Sequence, residues 1–347
     1  MGKDKQKILF FYNEEWEKEY FKRGIGDGLP AGQAGFEVEF LQGRVQDHSS
    51  FKDDKAEILS VFVGSHVDAS VFDKFPNLKY IAARSTGFDN IDIEEAKKRG
   101  IVVSNVPAYG SVTVAEFAFA LLLTVSRKVF PAYNQILEQG SFEKEGLRGF
   151  DLDGKVLGVV GVGKIGQNVI KIANGFGMKV IAFDRTPNDD LAQEKNFEYV
   201  EFDELLQKSD VITLHVPYNS QTHHLINKEA FAKMKEGVVI INTSRGGVIE
   251  TSALVKALQE GVVAGAGLDV LEAEIYMGNK LGLLQEENSS DEDVDTVLHN
   301  QYLIDHSDVI ITPHNAFNTQ EAVERIFDVT VGNIQRFGDG EVVNEVI

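Results

Sequence analysis

The sequence predicts an α/β protein built on two doubly wound parallel sheets. Three observations predict it. Short apolar runs alternate with amphipathic segments along most of the 347 residues, the pattern of strands covered by helices. Residues 155–184, KVLGVVGVGKIGQNVIKIANGFGMKVIAFD, place strand, glycine turn, helix, strand and acid in succession. That unit lies mid-chain, after about a hundred residues that already make one full set of alternating strands and helices.

Composition sets the frame. The chain is 43% hydrophobic and 25% charged, ordinary for a globular enzyme with a large core. Its length suggests two domains. The longest apolar run, residues 117–125, is too short to span a membrane. The first residues carry a short apolar run followed by acids, which reads as a first strand and not a signal peptide. There are no cysteines, so disulfide and thiol chemistry are excluded; the expected compartment is the cytoplasm. A net charge of −20 argues against nucleic acid as a partner. An anionic substrate then needs a local cationic site.

The elements follow in order. Strands are predicted at residues 7–12, 37–41, 58–63, 78–83 and 101–104, with helices at 14–22, 69–74 and 93–99. Gly100 stops the last of these. After Val106-Pro107 comes one apolar helix over 111–129, capped by Ser111, with Val112, Ala115, Phe119, Leu122 and Leu123 near one face. That pattern fits a linker and dimer contact and an internal core helix about equally. The second set of strands is predicted at 156–160, 180–183, 199–202, 211–216, 238–242, 264–269 and 309–311, with a helix at 251–259 and a last amphipathic helix at 319–337.

The glycine turn carries the first chemistry. Gly161 allows the tight turn, Gly163 lets backbone approach a pyrophosphate, and Gly166 lets helix lie close on strand. The helix N-terminus offers N–H groups to phosphates. Asp184, 18 residues after Gly166, is placed to accept ribose hydroxyls. With 32 glycines in the chain the spacing alone is weak, and Gly26-Asp-Gly28-Leu-Pro-Ala31 imitates it. There no strand precedes and Pro30 interrupts the turn, so a flexible loop is the reading. The acidic stretch 285–296 puts Asp291, Asp293 and Asp295 at calcium-loop spacing, but Thr296 and Tyr302 stand where Gly and Glu are needed. It reads as a solvated loop, and no metal site is predicted.

An enzyme using a nicotinamide dinucleotide needs a proton donor or acceptor for the carbonyl or alcohol oxygen and a cation for an anionic substrate, placed at strand ends. Arg245 follows one predicted strand, Glu274 another, and His314 ends a third. Arg presents a planar fork to a carboxylate, and a His paired with Glu can deliver a proton near neutral pH. Singly, each reads as a turn residue, a solvated acid or a structural histidine. Their conjunction downstream of the glycine turn favours chemistry. Of the other histidines, His215 reads as packing, His223-His224 as a surface turn, and His299 and His306 as lacking metal-ligand spacing.

The chain resembles the D-isomer-specific 2-hydroxyacid dehydrogenases, and within them the D-lactate dehydrogenase branch. The resemblance rests on ordered blocks: RSTGFDNID (84–92), NVPAYGSVTVAE (105–116), GVGKIG with FGMKVIAFD, LHVP (214–217), NTSRGG (242–247), LDVLEAE (268–274) and TPHNAF (312–317). It implies a Rossmann cofactor domain, residues 106–313, inserted into a flavodoxin-like substrate domain, residues 1–105 and 314–347, with a cleft that closes on substrate. It implies Arg245, Glu274 and His314 as the catalytic set. For NAD it implies Gly161, Gly163, Lys164, Ile165, Gly166, Asp184, Val216, Pro217, Thr222, Thr243, Ser244 and Asp269. For the substrate it implies Ser85, Thr86, Gly87, Tyr109 and Phe317, and for assembly a homodimer.

Two departures matter. Ile275 stands where many members have Pro, and 39 residues separate Glu274 from His314; the long segment fits the lactate branch. Gly64-Ser65-His66 replaces a bulkier aromatic loop, which leaves room for a substrate larger than pyruvate. Arg185 is a possible partner for a 2′-phosphate, but Asp184 repels one, so NAD is expected over NADP. The expected activity is reduction of pyruvate to D-lactate. The alternatives are the same chemistry on a bulkier 2-keto acid, or a dinucleotide-sensing corepressor on this fold.

Overall fold

The alternating strands form two separate parallel sheets, each covered on both faces. The computed structural model describes residues 5–26, 35–277 and 291–346. The chain divides into two units, Met1–Tyr109 with Thr319–Ile347, and Gly110–Asn318.

In the first unit the strands are β1 (Gln6–Tyr12), β2 (Phe36–Gln42), β3 (Ala56–Val61), β4 (Tyr80–Ala83) and β5 (Val102–Ser104). They are parallel throughout, in the order β2-β1-β3-β4-β5. The helices are α1 (Glu15–Gly26), α2 (Ala69–Phe72), α3 (Ile93–Lys98) and a C-terminal helix, α12 (Gln320–Gly338). Period-2 alternation explains the double covering. Along β1, Leu9 and Phe11 enter one core while Ile8, Phe10 and Tyr12 enter the other. The second core also holds Phe21 of α1 and Phe327, Val331 and Ile334 of α12. Asp68 and Asp92 cap α2 and α3 through their side chains.

The second unit carries β6 (Val156–Val160), β7 (Lys179–Phe183), β8 (Glu198–Tyr199), β9 (Val211–Leu214), β10 (Val238–Asn242), β11 (Val263–Leu268) and β12 (Val309–Ile311). The order is β12-β11-β10-β9-β6-β7-β8, again parallel throughout. Its helices are α4 (Ser111–Ser126), α5 (Val129–Gln139), α6 (Lys164–Gly175), α7 (Asp189–Lys195), α8 (Phe202–Lys208), α9 (Lys228–Phe231), α10 (Thr251–Gln259) and α11 (Asp291–Asp305). Along β10, Val238 and Ile240 face one core, Val239 and Ile241 the other. The strand order reverses direction between β6 and β9, and ligands of such sheets bind beyond the strand ends at that point.

Several expectations are corrected. The apolar helix after Pro107 is two helices. It starts from Gly110, with no side-chain cap from Ser111, and stops at Ser126. There the Ser126 carbonyl accepts the Phe150 N–H at 2.9 Å, and Lys128 turns left-handed at φ 52°. Ala115, Phe119, Leu121, Leu122 and Val125 of α4 are buried in the core, so α4 is a core helix. Of the strand expected at 199–202 only Tyr199 is in one: β8 ends there and Phe202 already opens α8, whose first turn holds Asp203 and Glu204 where acids suit the helix dipole. Residues 291–296 of the acidic stretch are the start of α11 and not a loop; residues 285–290 lie outside the described ones. The Gly26 imitation begins at the last residue of α1, and its remainder also lies outside. No helix among the described residues is long and apolar enough to cross a membrane.

Candidate active site

The glycine turn lies between β6 and α6. Gly161 has φ +96°, and a Cβ there would stand 2.7 Å from the His215 carbonyl oxygen. A Cβ on Gly166 would stand 2.1 Å from the Gly161 carbonyl oxygen, whereas one on Gly163 would meet nothing within 4 Å. So Gly161 and Gly166 are closed in by backbone, and Gly163 borders open space at the first turn of α6. Gly163 caps α6 without any side-chain bond, and Lys164 and Ile165 form the start of the helix. The turn is braced from β7: Asp184 accepts from the Val162 N–H at 2.8 Å and the Thr186 N–H at 3.0 Å. Arg185 beside it hydrogen-bonds Gln221.

Beyond β9 the chain turns through Val216 and Pro217. Thr222 closes this turn, its hydroxyl donating to the Pro217 carbonyl at 2.6 Å and accepting from the Asn219 N–H at 2.9 Å. The ring of His215 bonds Thr213 through Nε2 at 2.8 Å, while its Nδ1 is sealed from solvent. Burial pushes this imidazole down to about 3, so it is neutral at physiological pH. Thr243, after β10, has a buried hydroxyl with no partner among the described residues.

The three candidate catalytic side chains stand past the ends of three neighbouring strands. Arg245 follows β10, in a turn shaped by Asn242. The Asn242 side chain accepts from the Ser244 N–H and hydroxyl at 3.0 and 2.8 Å and donates to the Arg245 carbonyl at 2.9 Å. Glu274 follows β11 and opens a short 3-10 turn, Glu274–Tyr276. His314 follows β12. Its Nδ1 lies 2.8 Å from Glu274 Oε1, and the second Glu274 oxygen accepts from the Leu271 N–H at 3.2 Å. His314 is left-handed, φ 52°, and Asp269 holds the turn there. The Asp269 carbonyl accepts from the His314 N–H at 2.8 Å. Its carboxylate accepts from the Thr312 hydroxyl and the Asn315 and Ala316 N–H groups at 2.6, 2.7 and 2.8 Å. Burial pushes the Asp269 carboxyl up, and these donors oppose that shift. Phe317 follows, half-buried.

The remaining substrate candidates are in the first unit. Ser85, Thr86 and Gly87 follow β4 in a closed turn: the Ser85 hydroxyl donates to the Gly87 carbonyl at 2.6 Å and that of Thr86 to the Val106 carbonyl at 2.8 Å. Arg84 beneath it is buried, paired with Glu17 at 3.1 Å, donating to the Phe11 carbonyl and stacked 4.2 Å from the Phe10 ring. Burial brings its guanidinium down to about 10, which leaves it charged. The Tyr109 carbonyl accepts from Arg325 Nε at 2.7 Å. Gly64 and Ser65 border a cavity of about 20 Å³ beyond β1 and β3, room for roughly one water.

Sequence reasoning missed Asn242, Arg84 and the bond between His224 and Glu272, at 2.5 Å. That pair is 48 residues apart, and no local pattern signals it. With His223, the two bring ligand atoms within 4.8 Å of one another. The Glu272 carboxylate is already engaged by His224 and Thr251, so the cluster reads as a hydrogen-bonded network.

Comparison with known proteins decides the family. The family model described as the NAD binding domain of D-isomer specific 2-hydroxyacid dehydrogenases matches residues 119–316. The D-lactate dehydrogenase of Escherichia coli is 35% identical over 344 residues, 98% of this chain and 100% of that protein. The chain belongs to the D-isomer-specific 2-hydroxyacid dehydrogenases, in the D-lactate dehydrogenase branch. The Aquifex aeolicus D-lactate dehydrogenase, solved with NAD and lactic acid, superimposes with a TM-score of 0.82 at 36% identity, covering 96% of each chain. A glyoxylate reductase of Thermococcus litoralis is 39% identical over 295 residues, 83% of this chain and 82% of that protein. The protein is thus an NAD-dependent oxidoreductase acting on a CH–OH group, with a small hydroxy or keto acid as substrate. The residues present fit NAD: open space at Gly163, an α6 N-terminus without a side-chain cap, an acid after β7 and the Thr243 hydroxyl, which has no partner among the described residues.

Proposed function

We propose that this dehydrogenase interconverts pyruvate and D-lactate, with His314 as proton donor, Glu274 as its partner and Arg245 as carboxylate clamp. The observation that carries the reading is the His314–Glu274 bond of 2.8 Å past the end of β12. With Nδ1 committed to Glu274, Nε2 is the nitrogen left to exchange a proton with substrate. When bound, NADH would supply the hydride to the keto carbon. His314 Nε2 gives its proton to the keto oxygen as the alcohol forms, and takes it back in oxidation. Glu274 holds the ring in orientation and stabilises the imidazolium. Arg245 binds the substrate carboxylate through its fork and polarises the carbonyl. Ser85, Thr86, Gly87, Tyr109 and Phe317 are the substrate residues that the family resemblance implies. Gly161, Gly163, Lys164, Ile165 and Gly166 would hold the pyrophosphate. Asp184 would take the ribose hydroxyls, and Val216, Pro217, Thr222, Thr243, Ser244 and Asp269 would hold the rest of the cofactor.

Pyruvate is favoured by the end-to-end match to a D-lactate dehydrogenase, 98% of this chain and 100% of that protein. Glyoxylate is the second reading, since a glyoxylate reductase shares 39% identity over a shorter span; a bulkier 2-keto acid is the third, from Gly64 and Ser65. NADH oxidation across pyruvate, glyoxylate, hydroxypyruvate and branched 2-keto acids separates them. Pyruvate is expected to give the highest kcat/KM, with D-lactate as product; a higher value for another acid overturns the assignment. The protein is further read as a cytoplasmic homodimer, associating through the exposed apolar face of α5.

A further inference from the structure

We propose that Glu272 is a positioning residue for the catalytic pair, acting through Glu274. This rests on the acid–base reading of Glu274 and His314. Glu272 ties together three segments distant in sequence. Its Oε1 accepts from His224 Nε2 at 2.5 Å. Its Oε2 accepts from the Thr251 hydroxyl at 2.8 Å and N–H at 3.3 Å, at the first turn of α10. Its backbone carbonyl accepts from Asn300 Nδ2 of α11 at 2.7 Å.

What this anchoring holds is the turn that presents Glu274. Ala273, between the two glutamates, is left-handed at φ 54°. A non-glycine residue is strained there and persists only where its surroundings fix it. The turn sends Glu272 inward to its three partners and Glu274 toward His314. Glu274 is fastened to the same turn, through the Leu271 N–H at 3.2 Å, so a shift of residues 271–273 carries the carboxylate with it. His224, also left-handed at φ 48°, is fixed by its own N–H on the Gly247 carbonyl at 2.8 Å.

The same turn abuts the Arg245 segment. A Cβ on Gly246 would stand 1.9 Å from the Leu271 carbonyl carbon and 2.2 Å from the Glu272 nitrogen. Backbone therefore lies on backbone between the residue after Arg245 and the residues before Glu274. Fixing Glu272 sets both catalytic side chains in one register. Misplacement of a catalytic group by about an ångström costs on the order of 100-fold in rate.

The test is a double-mutant cycle on kcat/KM for pyruvate, using Glu272→Ala, Glu274→Gln and the pair, with NADH affinity and thermal melting measured for each. Glu272→Ala is expected to lower kcat by roughly 100-fold with NADH affinity within a few-fold of wild type. In the Glu274→Gln background it is expected to add almost nothing, because both act through one carboxylate. Glu272→Gln, of equal length and without charge, replaces the alanine variant if that one fails to fold, and is expected to recover part of the loss. Full multiplicativity of the two effects, or wild-type turnover in both Glu272 variants, overturns the proposal while leaving Glu274 catalytic. Wild-type turnover of Glu274→Gln alone instead removes the acid–base reading itself.

Discussion

His314 is held from two sides: Glu274 on its ring, and Asp269 on its backbone and on the two residues after it. Such a site spends its polar groups on orientation, so its residues act together. His215 shows the opposite design. Its folded value, about 3, lies below the ordinary 6.5. A group depressed in this way contributes stability that is present above 6.5 and lost as pH falls toward 3. His215→Gln is therefore expected to flatten the loss of stability between pH 7 and pH 4. Urea midpoints at the two pH values check this; an unchanged pH slope contradicts it. The sequence displays Arg245, Glu274 and His314 because each follows an apolar run and sits in an ordered block. It does not display why Glu274, and not Glu272, meets His314. That choice is made by the left-handed Ala273 and by contacts from residues 48 and 28 positions away, which no local pattern encodes.

At the scale of elements, the glycine turn is the most legible feature, because backbone sterics at two of its glycines leave no alternative. Gly166→Ala puts a methyl 2.1 Å from the Gly161 carbonyl oxygen, so strand and helix must part. A loss of roughly 1–3 kcal/mol in unfolding free energy and at least about tenfold weaker NADH binding are expected. Denaturant unfolding and fluorescence titration measure the two, and wild-type values for both contradict the account. Other elements were hidden for physical reasons. The stop of α4 at Ser126 depends on a bond to Phe150, a tertiary contact inside a run of uniformly helical residues. The start of α11 in an acidic stretch shows helix dipole and tertiary packing prevailing over polarity. The two-residue β8 is an edge strand, too short for alternation to show.

At the scale of the whole molecule, parallel pairing and double covering follow from the alternation of elements, and both sheets are legible in the sequence as parallel and doubly wound, without their strand order. The surface was less so. The pattern after Pro107 fits a subunit contact and a core helix about equally, and α4 buries Ala115, Phe119, Leu122 and Val125 in the core. The exposed apolar stripe is instead Val129, Tyr133, Ile136 and Leu137 of α5, followed by Phe142 at 82% exposure, spaced to share one helix face. Stripes of this kind mark association surfaces. Sedimentation equilibrium is expected to give twice the 38.4 kDa chain mass, and Tyr133→Glu with Leu137→Glu is expected to give monomer. A monomeric wild-type protein at micromolar concentration contradicts this.

The central claim is that His314, oriented by Glu274, moves the proton. The most direct measurement is single-turnover NADH oxidation on mixing pyruvate with NADH-saturated His314→Gln and wild-type enzyme. The account predicts a hydride-transfer rate lower by about 10²–10⁴-fold, with NADH affinity little changed. A wild-type rate in the variant would contradict it.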